Sequence, residues 1–368
     1  MIADRMKLID ASGIRKVFDL AAKLTAPLNL SIGQPDFDVP EPVKEAAIQA
    51  IRDGQNRYTQ TQGIGELRQR IADQLTLQFG VTDPAVLITS GASGALLLLM
   101  MTTVNPGDEV VIGDPYFVMY KHLVNLVGGK PVFVDTYPDF RLTAERIEPH
   151  ITDRTRMLVL NSPCNPSGVV LARQEIDDLL GLARRHDLLV ASDEIYDAFC
   201  YDVPYASAFG SYENTILLKG FSKTWAMTGW RLGYAAGPAE IVQAMAMLQQ
   251  YSFVCAPSMV QWAGLAALET DMSEAVADYR GRRDLIYDAL KNDFETVRPE
   301  GAFYIFPKAP GGRAEAFVAE AIRRNVLIIP GNVFSERDTH FRISYAAGRE
   351  TIERGAEVLC TLAREMGA

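Results

Sequence analysis

Between residues 86 and 235 the chain repeats one hydrophobic pattern: a short apolar run, a polar turn, then a longer stretch with helical spacing. The apolar runs fall at 86–89, 109–112, 131–134, 157–160, 188–191, 215–218 and 232–235. Short, near-continuous apolar runs suit strands buried on both faces. Their alternation with helices predicts a mostly parallel, seven-stranded sheet covered on both sides, in a large α/β domain spanning residues 40–265. Beyond it, a helical pattern at 272–292 and apolar runs at 301–306 and 326–329 predict a smaller α+β domain over residues 266–368. The longest apolar run, 95–101, reaches about half of the ~20 residues that cross a bilayer and is read as a buried helix.

One polar interruption of this pattern carries chemistry. Ser222-Lys223-Thr224 opens a loop between two strand-like runs, the second entered at Trp230, and Arg231 follows Lys223 by eight residues. Open α/β sheets place ligands at the C-terminal ends of their strands. A lysine there can form a Schiff base with a carbonyl, and an arginine fork can grip a phosphate. The pair suggests pyridoxal phosphate. Two other strand ends carry polar groups: Asp193 and Tyr196 after one run, and the turn Asn161-Ser162-Pro163-Cys164-Asn165-Pro166-Ser167-Gly168 after another.

With these motifs in place the sequence resembles the class I/II aminotransferases, the fold-type I enzymes that use pyridoxal phosphate. The resemblance runs from Leu30-Ser31-Ile32-Gly33-Gln34-Pro35-Asp36-Phe37 to Phe341-Arg342-Ile343-Ser344-Tyr345-Ala346, nearly the whole chain. It implies that an N-terminal arm, residues 1–39, joins the small domain. It also implies a role for each polar group. Lys223 is the lysine that holds the cofactor aldehyde and then moves the substrate proton; Asp193 pairs with the pyridine nitrogen. The backbone N–H groups of Ala92 and Ser93, with Ser222 and Arg231, hold the phosphate at a strand-to-helix turn whose helix begins near Gly94. Asn165 and Tyr196 bond the ring oxygen, and Phe117 stacks on the ring, with neighbouring Tyr116 as the other choice and a core aromatic as the alternative for either. Arg342 takes the substrate carboxylate, joined by Asn165 and by the backbone of Gly33, where a side chain would block the approach. Tyr58 resembles the tyrosine that reaches the neighbouring subunit's phosphate, which implies a homodimer with shared sites. Cys164 is read as a packed small residue.

Composition narrows the remaining classes. A net charge of −10, with no Lys/Arg cluster, argues against nucleic acid as a partner. Four cysteines without C-x-x-C spacing and four scattered histidines suggest neither a disulfide framework nor a metal centre. A charged N-terminus without an apolar core argues against export, so the expected compartment is the cytoplasm. Gly91-Ala92-Ser93-Gly94 lacks the spacing of a dinucleotide fingerprint.

The reaction expected from the resemblance is transfer of an amino group from an L-amino acid to a 2-oxo acid, with 2-oxoglutarate as the family's usual acceptor. A carbon–sulfur β-lyase of the same fold is the alternative. A cofactor-binding sensor domain is a third reading, opposed by the roughly thirty residues ahead of Leu30, too few for a helix-turn-helix. Ser93 and the stretch 248–251, where relatives selective for dicarboxylates place a cation, are not basic here, which favours a broad or aromatic donor. Aspartate stays open through Arg15.

Overall fold

The computed structural model describes residues 1–10, 13 and 24–367. Arg15 lies outside them. Each of the seven apolar runs forms a strand: β2 (Ala85–Ser90), β3 (Glu109–Asp114), β4 (Lys130–Asp135), β5 (Thr155–Asn161), β6 (Leu189–Asp193), β7 (Thr215–Gly220) and β8 (Leu232–Gly237), after a short β1 (Leu28–Asn29). They make one sheet in the order β2-β8-β7-β6-β5-β3-β4. Only β8 runs against its neighbours β2 and β7, so the sheet is mostly parallel, as predicted.

Alternation along these strands explains their apolar character. Val110, Ile112, Met157 and Val159 enter the core beneath helices Gly91–Thr103 and Ala239–Gln250, whereas Val111, Leu158 and Leu160 enter the core on the other face with helix Arg173–Arg185. A strand buried on both faces has little room for polar side chains until its end. The polar residues Asn161 and Asp193 accordingly close β5 and β6.

Three boundaries differ from the sequence reading. The helix expected from Gly94 begins at Gly91, whose φ of +68° lets the chain turn straight from β2 into the helix. The strand expected from Trp230 begins at Leu232, because Arg231 is left-handed (φ +58°) and ends the preceding turn. The run 326–329 is divided between two small sheets. In it β10 (Val326–Leu327) pairs in parallel with β1, and β11 (Ile329–Pro330) pairs with β12 (Phe341–Ser344), which also pairs with β9 (Tyr304–Ile305). The predicted helix at 272–292 is present as Ser273–Leu290, packed on the C-terminal helix Arg349–Gly367. Among the described residues no helix is long and apolar enough to cross a membrane.

Candidate active site

A cavity of about 280 Å³ opens at the C-terminal ends of β5, β6 and β7. Asn161 and Asp193 are register partners there, and Lys223 lies three residues beyond the end of β7. Asn161 ties the ends together: its Nδ2 donates to the Asp193 carbonyl at 3.0 Å and its Oδ1 accepts from the Asn165 N–H at 2.9 Å. The Asn/Pro-rich turn is thereby held against the acid at the next strand end.

Asp193 is 3 % exposed. Its Oδ2 accepts from the Tyr120 hydroxyl at 2.7 Å and its Oδ1 from the Ile195 N–H at 3.3 Å. Burial pushes this carboxyl up to about 6, while the Tyr120 and Ile195 hydrogen bonds pull it back. Lys223 Nζ donates to the carbonyl of Gly33 at 2.7 Å. Burial brings its amine down to about 8, the positive charges of Arg342 and Arg231 push the same way, and Asp193 opposes them. Near neutral pH the lysine is therefore close to losing its proton beside an acid that keeps its charge.

Arg342 is 1 % exposed and held between the rings of Tyr304 and Phe334, at 4.4 and 4.5 Å from their centroids. Its Nη1 donates to Asn165 Oδ1 at 3.1 Å and its Nη2 to the Ser31 carbonyl at 2.9 Å. Nε is buried without a protein partner among the described residues. A guanidinium carries five N–H donors, so with Nη1 and Nη2 each using one, each keeps a second that protein groups do not take.

At the other end, Arg231 Nη1 donates to the Thr228 carbonyl at 3.0 Å, and its guanidinium lies over Gly91: a Cβ there would come within 2.6 Å of Nη2. Ala92, Ser93 and Ser222 line the same end of the cavity. A left-handed arginine, a glycine under its fork and a helix N-terminus form a cradle suited to a phosphate. The donor set thus fits pyridoxal phosphate: an anion site, a buried acid, a depressed lysine and a second anion site at Arg342.

Of the residues singled out from sequence, Gly33, Ala92, Ser93, Phe117, Asn165, Asp193, Tyr196, Ser222, Lys223, Arg231 and Arg342 all line this cavity. Tyr116 does not; its ring stacks on Phe133 at 4.8 Å and its hydroxyl donates to Glu336 at 2.5 Å. Tyr58 stands apart, 84 % exposed. Cys164 lies behind the cavity in a small void beside Tyr120 and Asn161, and burial raises its thiol above the ordinary range, which agrees with a packed residue. Tyr120, Tyr304 and Asn161 were not singled out as site residues. Tyr120 follows Phe117 by three positions, and its N–H donates to the Phe117 carbonyl at 3.0 Å in the turn that opens helix Met119–Leu126, with the two rings meeting edge to face at 5.6 Å. Tyr304 sits inside an apolar run and carries no comparable signal.

The profile of aminotransferase class I and II matches residues 25–359. Aromatic-amino-acid aminotransferase 2 of Thermococcus litoralis is 38% identical, covering 97% of this chain and 96% of that protein. Aspartate aminotransferase of Pyrococcus abyssi is 38% identical over 99% of this chain and 98% of its own. Aspartate aminotransferase from Thermus thermophilus, solved with maleate, superposes with a TM-score of 0.94 at 35% identity, covering 98% of this chain and 99% of that one. The chain belongs to the class I and II aminotransferases, with the fold-type I architecture, and it is an enzyme that moves an amino group between an amino acid and a 2-oxo acid. Relatives named as aminotransferases over the full length do not favour the carbon–sulfur lyase alternative. Pyridoxal phosphate is the cofactor expected throughout this family.

Proposed function

We propose that this chain binds pyridoxal phosphate in the cavity between Arg231 and Arg342 and transfers the amino group of a broad or aromatic range of L-amino acids to 2-oxoglutarate. The observation that carries this reading is the pairing, in one buried cavity, of an acid raised to about 6 and an amine lowered to about 8, between two arginine sites. Oppositely perturbed groups of this kind mark acid–base chemistry.

When bound, the cofactor supplies an aldehyde to receive the amino group and a ring that accepts the electron pair left at Cα. Lys223 would hold the aldehyde, and its depressed amine, freed by substrate, would take the Cα proton. Asp193 stays ionised near neutral pH and would serve the pyridine nitrogen, with Tyr120 holding the carboxylate in place. Ser222, Arg231 and the N–H groups of Ala92 and Ser93 would hold the phosphate, Phe117 would bound the ring, and Asn165 and Tyr196 would bond its oxygen. Arg342 orients the substrate through its carboxylate, with Asn165 fixing the guanidinium and Gly33 adding its N–H.

The donor range is supported by the lining of the cavity. Ile32, Leu96 and Ile195 contribute apolar surface to it, and among the described residues its cationic side chains are Lys223, Arg231 and Arg342, each already assigned. Relatives named for aspartate and for aromatic amino acids are equally similar, so the donor is tested directly. Half-reactions of the holoenzyme with aspartate, phenylalanine, tyrosine and alanine, followed by cofactor absorbance, are expected to favour the aromatic donors; a strong preference for aspartate would overturn the assignment. We further infer a homodimer in which Tyr58 completes the partner's phosphate site; its exposure supports this. The division into an arm (1–39), a large domain (40–265) and a small domain (266–368) is supported by the pairing of β1 with β10 and by a sheet core drawn wholly from the large domain, while the small-domain core also takes in Leu30 of the arm and Tyr196, Phe199 and Tyr201 at the domain junction.

A further inference from the structure

Tyr304 touches both Tyr196 and Arg342. Its hydroxyl is 2.8 Å from the hydroxyl of Tyr196, its ring covers the Arg342 guanidinium at 4.4 Å, and it lines the cavity. Its place is prepared by Gly33: a Cβ there would come within 2.7 Å of Tyr304 Oη, well before reaching Arg342 Nη2 at 3.7 Å. Glycine at position 33 therefore makes room for this hydroxyl first, in addition to leaving the substrate's approach clear.

Two hydroxyls bonded only to each other hold two hydrogens and use one. Burial raises both phenols above their ordinary range, so each keeps its hydrogen near neutral pH. Neither makes another hydrogen bond to a protein group among the described residues. Whichever phenol accepts has its own hydrogen free to point into the cavity. If Tyr196 is to donate to a ring oxygen, its own oxygen must accept from Tyr304. A hydroxyl that accepts one hydrogen bond donates a stronger one, because the chain polarises cooperatively.

We propose that Tyr304 is a positioning residue for the transamination: it donates to Tyr196, sharpening that tyrosine's donation to the cofactor ring oxygen, while its ring fixes the plane of Arg342. This rests on the reading of Lys223 and Tyr196 given above. The groups that set the proton affinity of Lys223 are Arg342, Arg231 and Asp193, with the neutral hydroxyls of Tyr120, Tyr196 and Tyr304 around them.

The test uses the holoenzyme and the pH at which the absorbance of its lysine-bound cofactor changes. Donation to the ring oxygen favours the deprotonated chromophore, so weakening it raises the midpoint. Tyr196→Phe is expected to raise it most, and Tyr304→Phe by about half a unit to one unit, the size of a modest change in one charged hydrogen bond. The double variant is expected to match Tyr196→Phe alone, since Tyr304 acts through Tyr196. An unmoved midpoint in Tyr304→Phe, or a shift that adds fully to that of Tyr196→Phe, overturns the proposal. So does loss of bound cofactor in Tyr304→Phe, because the anchors at Lys223 and Arg231 are intact in it. If Tyr196→Phe itself leaves the midpoint in place, the assignment of Tyr196 falls and the proposal falls with it; if only Tyr304→Phe does, the assignment stands and the proposal alone fails.

Discussion

The amine of Lys223 and the carbonyl of Gly33, 190 positions apart in the chain, meet in a 2.7 Å hydrogen bond. That bond joins the loop after β7 to the segment that runs from β1 toward the helix Glu41–Arg52, and it places the amine in the cavity between Asp193 and Arg342. Lys223 is accordingly expected to be the most reactive lysine of the apoprotein. Competitive labelling with a limiting amine reagent should show it titrating near about 8, below the ordinary lysine range. Borohydride reduction of the holoenzyme should leave the cofactor on the peptide containing Lys223, and a map that places it elsewhere contradicts the assignment. Lys223→Ala should retain cofactor and lose nearly all transamination.

Asp193 offers a test of sign. Its folded-state carboxyl is raised to about 6 by burial, against the ordinary 3.8, so its charge opposes folding once it ionises. The cost is absent below the unfolded value, grows as pH rises toward 6 and is fully present above it. Asp193→Asn apoprotein is expected to gain stability over the native chain on going from pH 4 to pH 7, by on the order of 3 kcal/mol at most. Denaturant unfolding at the two pH values measures the gap. The same variant should lose kcat and kcat/KM together, since the charge matters most as electrons enter the ring. Tyr120→Phe, which removes the 2.7 Å hydrogen bond, should do the same to a smaller degree.

For Arg342 the expected loss lies in substrate binding. Arg342→Lys keeps the charge and loses both the fork and the hydrogen bond to Asn165. KM for amino and 2-oxo acids should rise by roughly ten- to hundredfold, equivalent to about 1.4–2.7 kcal/mol, with cofactor content unchanged. Equal KM values for variant and native enzyme would remove Arg342 from the carboxylate site.

Tyr58 tests the shared site. Tyr58→Phe should release cofactor more readily while donor preference stays constant. Mixing it with Lys223→Ala subunits should restore activity, because one site of a mixed dimer then carries both changes and the other neither. Mixed dimers confirmed by mass spectrometry but inactive would show that Tyr58 serves its own chain.

Much of this was legible in one dimension because it depends on local sequence. Strands buried on both faces must be apolar until they end, so all seven runs and the polar residues at their ends, Asn161 and Asp193, could be read directly. Lys223 and Arg231 stand eight apart on one loop, and the cavity receives both. What the sequence could not order was contact between distant segments. That Tyr304 meets Tyr196, that Tyr120 rather than a charged residue holds Asp193, and that Phe117 enters the cavity while Tyr116 turns toward Phe133 follow from packing between elements up to 108 residues apart. Tyrosine has the same apolar ring whether its hydroxyl is idle or bonded, so a tyrosine in an apolar run looks like core until its neighbours are known. The division of 326–329 between two sheets has the same origin: strand propensity belongs to the segment, and its partners belong to the fold.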